Sequence, residues 1–218
     1  MPLPSSVRSA LGSAPALDRT STPPTLQNHR PPALDELSYS QFEFDKSADR
    51  LGDGGNAVVY QATVAPDNLT VALKRPFPGK TVPPQTCRKL LNEGEKWAAV
   101  DDHPYIASVF DWGMDGPPWI AIEYLAGGTL AERSEEMSVS QRLWTAYALV
   151  DAVAYATAQH GLTHHDLHPQ NVLLQQTPDG VWDVPKIVDW GLSRELIQHT
   201  GSVSQATPEY AAPEHFDA

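Results

Sequence analysis

Between Ala57 and Val64 the chain alternates and is rich in β-branched residues, and a second such run, Thr70 to Leu73, leads straight into Lys74. Only a short polar turn around Pro66, Asp67 and Asn68 separates the two. Period-two runs joined this closely can pair only as an antiparallel hairpin, which commits the first half of the chain to a sheet. Residues 76–84 hold Gly79 and four prolines and are expected to be a loop. Leu90, Leu91, Trp97, Ala98 and Val100 then recur at near-helical spacing, predicting a helix over 86–100 that His103-Pro104 stops. Strand-like runs follow at 106–112 and 119–125, the second ending at Gly127-Gly128.

Further on, Ser138 and Gln141 have the spacing of a capping box. Behind them Leu143, Tyr147, Val150, Ala154 and Ala158 form an apolar helical face closed by Gly161. Short apolar runs at 172–174 and 186–188 flank a polar turn and predict a second hairpin. No internal repeat is present. Strands, helix, strands, helix and a small hairpin, in that order, predict an α+β protein of two lobes with a hinge near 123–128.

Composition bears on partners and surroundings. Seven of the 20 prolines fall in the first 32 residues, so the stretch before Phe42 (1–41) is expected to be a disordered Pro/Ser-rich tail. The formal net charge is −12, which repels nucleic acid and anionic membranes and makes neither a default partner. The same acidic excess fits a salt-adapted prokaryotic cytoplasm as well as an acidic mesophilic protein. Cys87 is the sole cysteine, so no internal disulfide can form. Arg8 has no apolar run behind it, and the most apolar stretch, 143–158, is interrupted by Asp151 and too short to span a bilayer. A cytoplasmic protein is expected.

Four elements carry chemistry. Gly52-Asp53-Gly54-Gly55 lies between two strands, where glycine lets backbone N–H groups approach a phosphate; alone it is also what an ordinary hairpin turn requires. Lys74 ends a strand among apolar residues and needs either an anionic partner or a route for its ammonium to the surface. Glu93 on the following helix can be that partner, with Glu95 the alternative on another face. In His164-His165-Asp166-Leu167-His168-Pro169-Gln170-Asn171, the Asp166 carboxylate can accept a proton from an attacking hydroxyl, and the Asn171 amide oxygen can coordinate Mg²⁺. Adjacent histidines with no further ligand pair at zinc spacing speak against zinc. Asp189-Trp190-Gly191 places a carboxylate at a strand end before glycine, a ready Mg²⁺ ligand or simply a strand terminator. Each is weak singly. Together, in this order, they reinforce one another.

With those residues in place, the chain over 50–214 resembles the protein kinase superfamily, in its serine/threonine-type catalytic domain. The resemblance implies a β-rich N-lobe (42–125), a partial helical C-lobe (126–218), and ATP-dependent phosphoryl transfer to serine or threonine of a protein substrate, with Mg²⁺. Residues 52–60 resemble the Gly-rich loop, VALK (71–74) the strand with the ATP-orienting lysine, and Glu93 its helical partner. Asp166 becomes the catalytic base, Asn171 and Asp189 the metal ligands, and His168 stands where a lysine usually stabilises the γ-phosphate. IEYLAGGTL (122–130) resembles the hinge, with Ile122 as gatekeeper and Glu123 to Leu125 lining the adenine. On the same footing Leu51, Gly52, Gly54 and Gly55 would cover the nucleotide from the loop. Val59, Ala72 and Lys74 would contact it from the strands.

ATPEYAAPE (206–214) resembles the segment that positions a peptide, and its Thr207 is of the serine/threonine type. Three departures stand out. Ala57 replaces the third glycine of the loop; His165 replaces the arginine before the catalytic aspartate; His168 replaces the lysine after it. Because imidazole lacks the always-charged fork of arginine, activity is not expected to depend on phosphorylation between Gly191 and Ala212. The chain stops four residues after Glu214, so the apolar face of helix 140–160 is expected to lack cover and the C-lobe to fold weakly. Two other readings remain: a small-molecule kinase of the aminoglycoside or choline type, whose loop also reads HxDLHPxN, and a pseudokinase or nucleotide-binding scaffold.

Overall fold

The computed structural model describes residues 31, 34, 36–54, 57–78, 82–177, 183–192, 194–195, 207 and 209–210. Six antiparallel strands form the first lobe: β1 (Phe42–Glu43), β2 (Arg50–Gly54), β3 (Ala57–Val64), β4 (Leu69–Pro76), β5 (Val109–Gly113) and β6 (Trp119–Glu123). They lie in the order β1-β3-β4-β6-β5, with β2 paired to β3 beyond the bulge between Arg50 and Gly52. The predicted hairpin is β3–β4, in register from Val64↔Leu69 to Ala57↔Pro76.

Both faces of this sheet carry packed side chains, so β6 is buried throughout, while β3 keeps the alternating burial that its sequence predicts. On one face Ala62, Val64, Val71, Leu73, Trp119 and Ala121 pack with Phe42. On the other, Ala72, Ile120 and Ile122 join the main core, to which α1 (Pro84–Ala98) contributes Leu90 and Trp97. That helix starts two residues before the predicted 86 because Pro84 sits at its first position, where a fixed φ and a missing N–H do no harm. The strand expected from residue 106 begins only at Val109. Before it, Ile106 leaves the sheet to bridge Ile187, and the Asp101 carboxylate takes the N–H of Val109 (3.0 Å).

Of the tail expected over 1–41, most residues before 36 lie outside the described residues, and the last six do not fit the expectation. Residues 36–41 fold onto the sheet, because two carboxylates at the β5–β6 end accept backbone N–H groups: Asp111 from Leu37 (2.8 Å) and Asp115 from Tyr39 (2.7 Å). Trp119 Nε1, Ser38 and that Tyr39 N–H hold the Asp115 carboxyl down at about 2.

Past β6 the chain crosses to the second lobe, made of α2 (Leu130–Arg133), α3 (Val139–His160), β7 (Leu162–Thr163), β8 (Val172–Gln175), β9 (Val184–Ile187) and β10 (Arg194–Glu195). Gly127 N–H donates to Leu174 O (2.9 Å), an approach so close that a Cβ at 127 would strike that carbonyl. β8 and β9 are the predicted small hairpin, and β7 pairs with β10. At the start of α3 the capping box closes as expected, Gln141 N–H on Ser138 Oγ (3.3 Å) and Ser138 N–H on Gln141 Oε1 (2.8 Å). Gly161 ends the helix at φ 63°, the left-handed conformation that favours glycine.

The buried face of α3 is not the predicted one. Leu143, Tyr147 and Val150 are 56, 61 and 69% exposed, whereas Thr145, Ala148, Ala152 and Ala156 face the core. Small residues one turn apart let the helix lie close to β7 and β9, and a helix apolar nearly all round offers two faces with equal periodicity. Replacing Leu143 and Val150 with glutamine should therefore shift the unfolding free energy of the 218-residue chain by only about 0.5 kcal/mol each. Urea titration checks this; losses of several kcal/mol would mean that the face is packed. No helix among the described residues is long and apolar enough to cross a membrane.

Candidate active site

Lys74 lies near the end of β4, paired with Val59 on β3 and Ile120 on β6. Strand alternation puts it on the same face as Ala72, toward α1. Its Nζ donates to Glu93 Oε1 at 2.6 Å and to Asp189 Oδ1 at 2.9 Å, so one ammonium joins the sheet, the helix and the segment after β9. Glu93 is buried on this side of α1 and Glu95 is exposed, which decides between the two candidate partners. Burial pulls the Lys74 ammonium down, but Asp189 and Glu93 more than reverse this and raise it above its ordinary range. Burial pushes the Glu93 carboxyl up, to about 7, against the pull of Lys74 and with the help of nearby Asp189. Asp189, also desolvated, is nonetheless held below the usual carboxylate range by Lys74. Two carboxylates around one ammonium leave a net negative pocket, the electrostatics of a cation site.

The loop 164–171 hangs between β7 and a single 3₁₀ turn, Pro169–Asn171, that leads into β8. Asp166 Oδ1 receives both the N–H (2.8 Å) and the hydroxyl (2.9 Å) of Thr207. Asn171 Nδ2 donates to the Asp166 carbonyl at 2.9 Å, and Asn171 O accepts from Val188 N–H at 3.0 Å, bringing the loop beside Asp189. The two adjacent histidines diverge. His164 is buried, its Nε2 at 3.0 Å from Val188 O and its ring edge-on to Trp190 at 4.9 Å; burial lowers its pKa. His165 has φ 63° and lies 2.5 Å from Thr163 Oγ1 through Nε2. Among the described residues no three His, Cys, Asp or Glu side chains gather as a metal cluster.

Asp189 also adopts φ 63°, and Gly191 N–H approaches its Oδ1 at 3.4 Å. Its side chain stays 46% exposed to the cleft. Asn171, with Nδ2 committed to the Asp166 carbonyl, can offer its Oδ1, so the pair presents the hard oxygen donors that suit Mg²⁺.

Beside this polar centre Ala72, Ile122 and Leu125 are buried in the main core, with Val59 half-buried against them. Leu51 is exposed at the sheet's rim and Gly52 has open space around its Cα. Gly54 ends β2, and Gly55 lies outside the described residues. Glu123 differs in orientation from its expected place against adenine. Its carboxylate turns into the protein onto Lys186 (2.8 and 2.7 Å), leaving only its backbone at the hinge. Leu173 was not singled out from the sequence, yet it is half-buried against the same core and bridges Thr129. The strand alternation that buries Val172 and Leu174 turns it the other way, and this was the available signal.

Comparison with known proteins fits this geometry: the protein kinase domain family matches residues 46–218. The chain belongs to that family. Among curated relatives of this kinase domain, the DNA damage-responsive serine/threonine-protein kinase RqkA of Deinococcus radiodurans is 32% identical over 174 residues, 75% of this chain and 25% of that protein. Serine/threonine-protein kinase PknJ of Mycobacterium tuberculosis is 33% identical over 177 residues, 75% of this chain and 28% of its own length. The probable serine/threonine-protein kinase mkcC of Dictyostelium discoideum is 30% identical, over 78% of this chain and 19% of that protein. The chain thus spans only 19 to 28% of the length of these relatives.

Proposed function

We propose that this kinase domain transfers the γ-phosphoryl group of ATP to serine or threonine hydroxyls of a protein substrate, in a cytoplasmic setting. The observation that carries the reading is the Lys74 ammonium, fixed by Glu93 and Asp189 at one end of an apolar slot. In phosphoryl transfer the protein acts mainly by positioning and by placing charge, and a lysine whose rotamers are locked does both. Val59, Ala72, Ile122, Leu125 and Leu173 would enclose the base, and the backbone of the β2–β3 turn would approach the phosphates. Thr207 occupies Oδ1 of Asp166, so Oδ2 is left to receive the proton of an incoming hydroxyl. Asp189 and Asn171 would hold Mg²⁺, which when bound neutralises charge building on the phosphates. The Thr207 contact favours a peptide acceptor over a small molecule, since it ties the base to the segment resembling a peptide-positioning strip.

The deciding experiment offers γ-labelled ATP and Mg²⁺ to the purified chain with four acceptors: peptides containing serine and threonine only, peptides containing tyrosine only, an aminoglycoside, and choline. Label should appear on the first set alone. Label confined to a small molecule would overturn the reading, and tight MgATP binding with no transfer would assign a scaffold.

A further inference from the structure

His168 is one of the three departures, Gln170 has no part in the proposed chemistry, and both lie beside Asn171. His168 Nε2 is 3.0 Å from Asn171 Nδ2, and His168 Nδ1 is 2.6 Å from Gln170 Oε1. The proton positions follow from what each group can do. A backbone carbonyl only accepts, so the end of the Asn171 amide at 2.9 Å from Asp166 O is its NH₂. That NH₂ also faces His168 Nε2, and since an amide nitrogen only donates, Nε2 must be the bare acceptor. A neutral imidazole then carries its proton on Nδ1, the nitrogen that faces Gln170 Oε1. The reverse orientation of Gln170 would point an N–H at a ring that needs to donate there. Only one assignment satisfies all four groups. Asp166 Oδ2 lies 3.5 Å from Nε2, too far to compete for a hydrogen bond, and the ring plane is held by stacking on Tyr210 at 5.6 Å.

We propose that Gln170 is a positioning residue: by accepting from His168 Nδ1 it fixes the ring tautomer whose Nε2 receives the Asn171 amide, and so keeps Asn171 Oδ1 turned to the metal position. The inference rests on the reading of Asn171 as a Mg²⁺ ligand. Removing the Gln170 acceptor leaves the ring free to carry its proton on Nε2. An N–H there opposes the Asn171 NH₂, and the amide relieves the conflict by rotating its oxygen toward the ring and away from the metal. Outer-shell partners of this kind are worth about 10–100-fold in metal affinity.

Three variants of the full chain test it: Gln170→Met, Gln170→Glu and Asn171→Ala. The readouts are the ¹⁵N shifts of the neutral His168 ring, Mn²⁺ affinity in the presence of ATP, and ATP affinity without metal. The wild-type ring should show the Nδ1–H tautomer. Gln170→Met should convert it largely to Nε2–H and weaken Mn²⁺ about tenfold, with metal-free ATP binding unchanged. Gln170→Glu, which retains the acceptor, should keep both wild-type properties. A wild-type Nε2–H ring, or a Gln170→Met protein with unaltered tautomer and Mn²⁺ affinity, overturns the proposal. Unchanged Mn²⁺ affinity in Asn171→Ala would instead overturn the ligand reading beneath it, leaving the ¹⁵N shifts to decide the Gln170–His168 link. Gln170 is exposed, so its variants should fold; a melting curve matching wild type establishes this for each.

Discussion

Replacing Lys74 with methionine is expected to lower phosphoryl transfer by about 10²–10³-fold, the loss seen when one preorganised donor to developing charge is removed, while the domain stays folded. Methionine retains the apolar stem that lies between Val59 and Ile120 in the sheet register, so packing changes little. What disappears is the positive charge 2.6 Å from Glu93 and 2.9 Å from Asp189. The buried Glu93 carboxylate would then face the half-exposed Asp189 without a counter-charge, and stranding a buried charge is strongly destabilising. Here a proton can replace the ammonium, because burial already pushes the Glu93 carboxyl up to about 7 with Lys74 present. The stability loss should accordingly stay near about 1–3 kcal/mol. Transfer rate and thermal melting, measured on the same preparation, separate the two effects. A variant with the unmutated rate would show that Lys74 does not touch the reacting phosphate, and one that fails to melt cooperatively would show that its charge is structural.

Much of this architecture was legible in the chain because single-period signals were strong. The β3–β4 hairpin follows from alternation interrupted by one polar turn, and the start of α3 follows from Ser138 and Gln141. The sequence misled where two physical solutions share one pattern. α3 is apolar nearly all round, so periodicity could not say that the alanine stripe, rather than Leu143 and Tyr147, would face the core; close approach to the strands decided it. Residues 36–41 lack any apolar period, and what holds them is a pair of carboxylates more than 70 positions away.

In the site, Lys74, Asp166, Asn171 and Asp189 are weak signals singly, since Asp and Asn are ordinary turn residues, and they became legible through their order along the chain. Glu93 and Glu95 differ only in which face of α1 they occupy, and the structure had to choose. The relation of Gln170 to Asn171 is invisible in sequence, since it runs through the two nitrogens of one ring. The same holds for Glu123, whose partner lies 63 residues further on.

That partner sets the second large effect. Lys186→Met is expected to destabilise the domain by about 3–5 kcal/mol, the range for breaking a buried ion pair from one side. Lys186 is 1% exposed and Glu123 6%, with Nζ at 2.8 and 2.7 Å from the two carboxylate oxygens. Ser108 N–H, at 3.1 Å from Oε2, is the other donor to that carboxylate, and one amide cannot replace the ammonium. In a chain of this size, about 1 kcal/mol moves the melting temperature by roughly 2–4 °C, so the variant should melt about 6–20 °C lower. The pair joins the last residue of β6 to β9, the strand that delivers Asp189, and it draws the Glu123 side chain away from the slot so that the hinge presents backbone alone. Because the penalty comes from the stranded anion rather than from a lost attraction, neutralising it should reverse most of the loss. Glu123→Gln combined with Lys186→Met removes the buried charge and keeps an acceptor for Ser108 N–H. Urea unfolding of the single and double variants measures the difference. If the double variant were as unstable as Lys186→Met alone, the stranded charge would not be the cause, and the packing of the lysine stem against β9's neighbours would have to carry the effect.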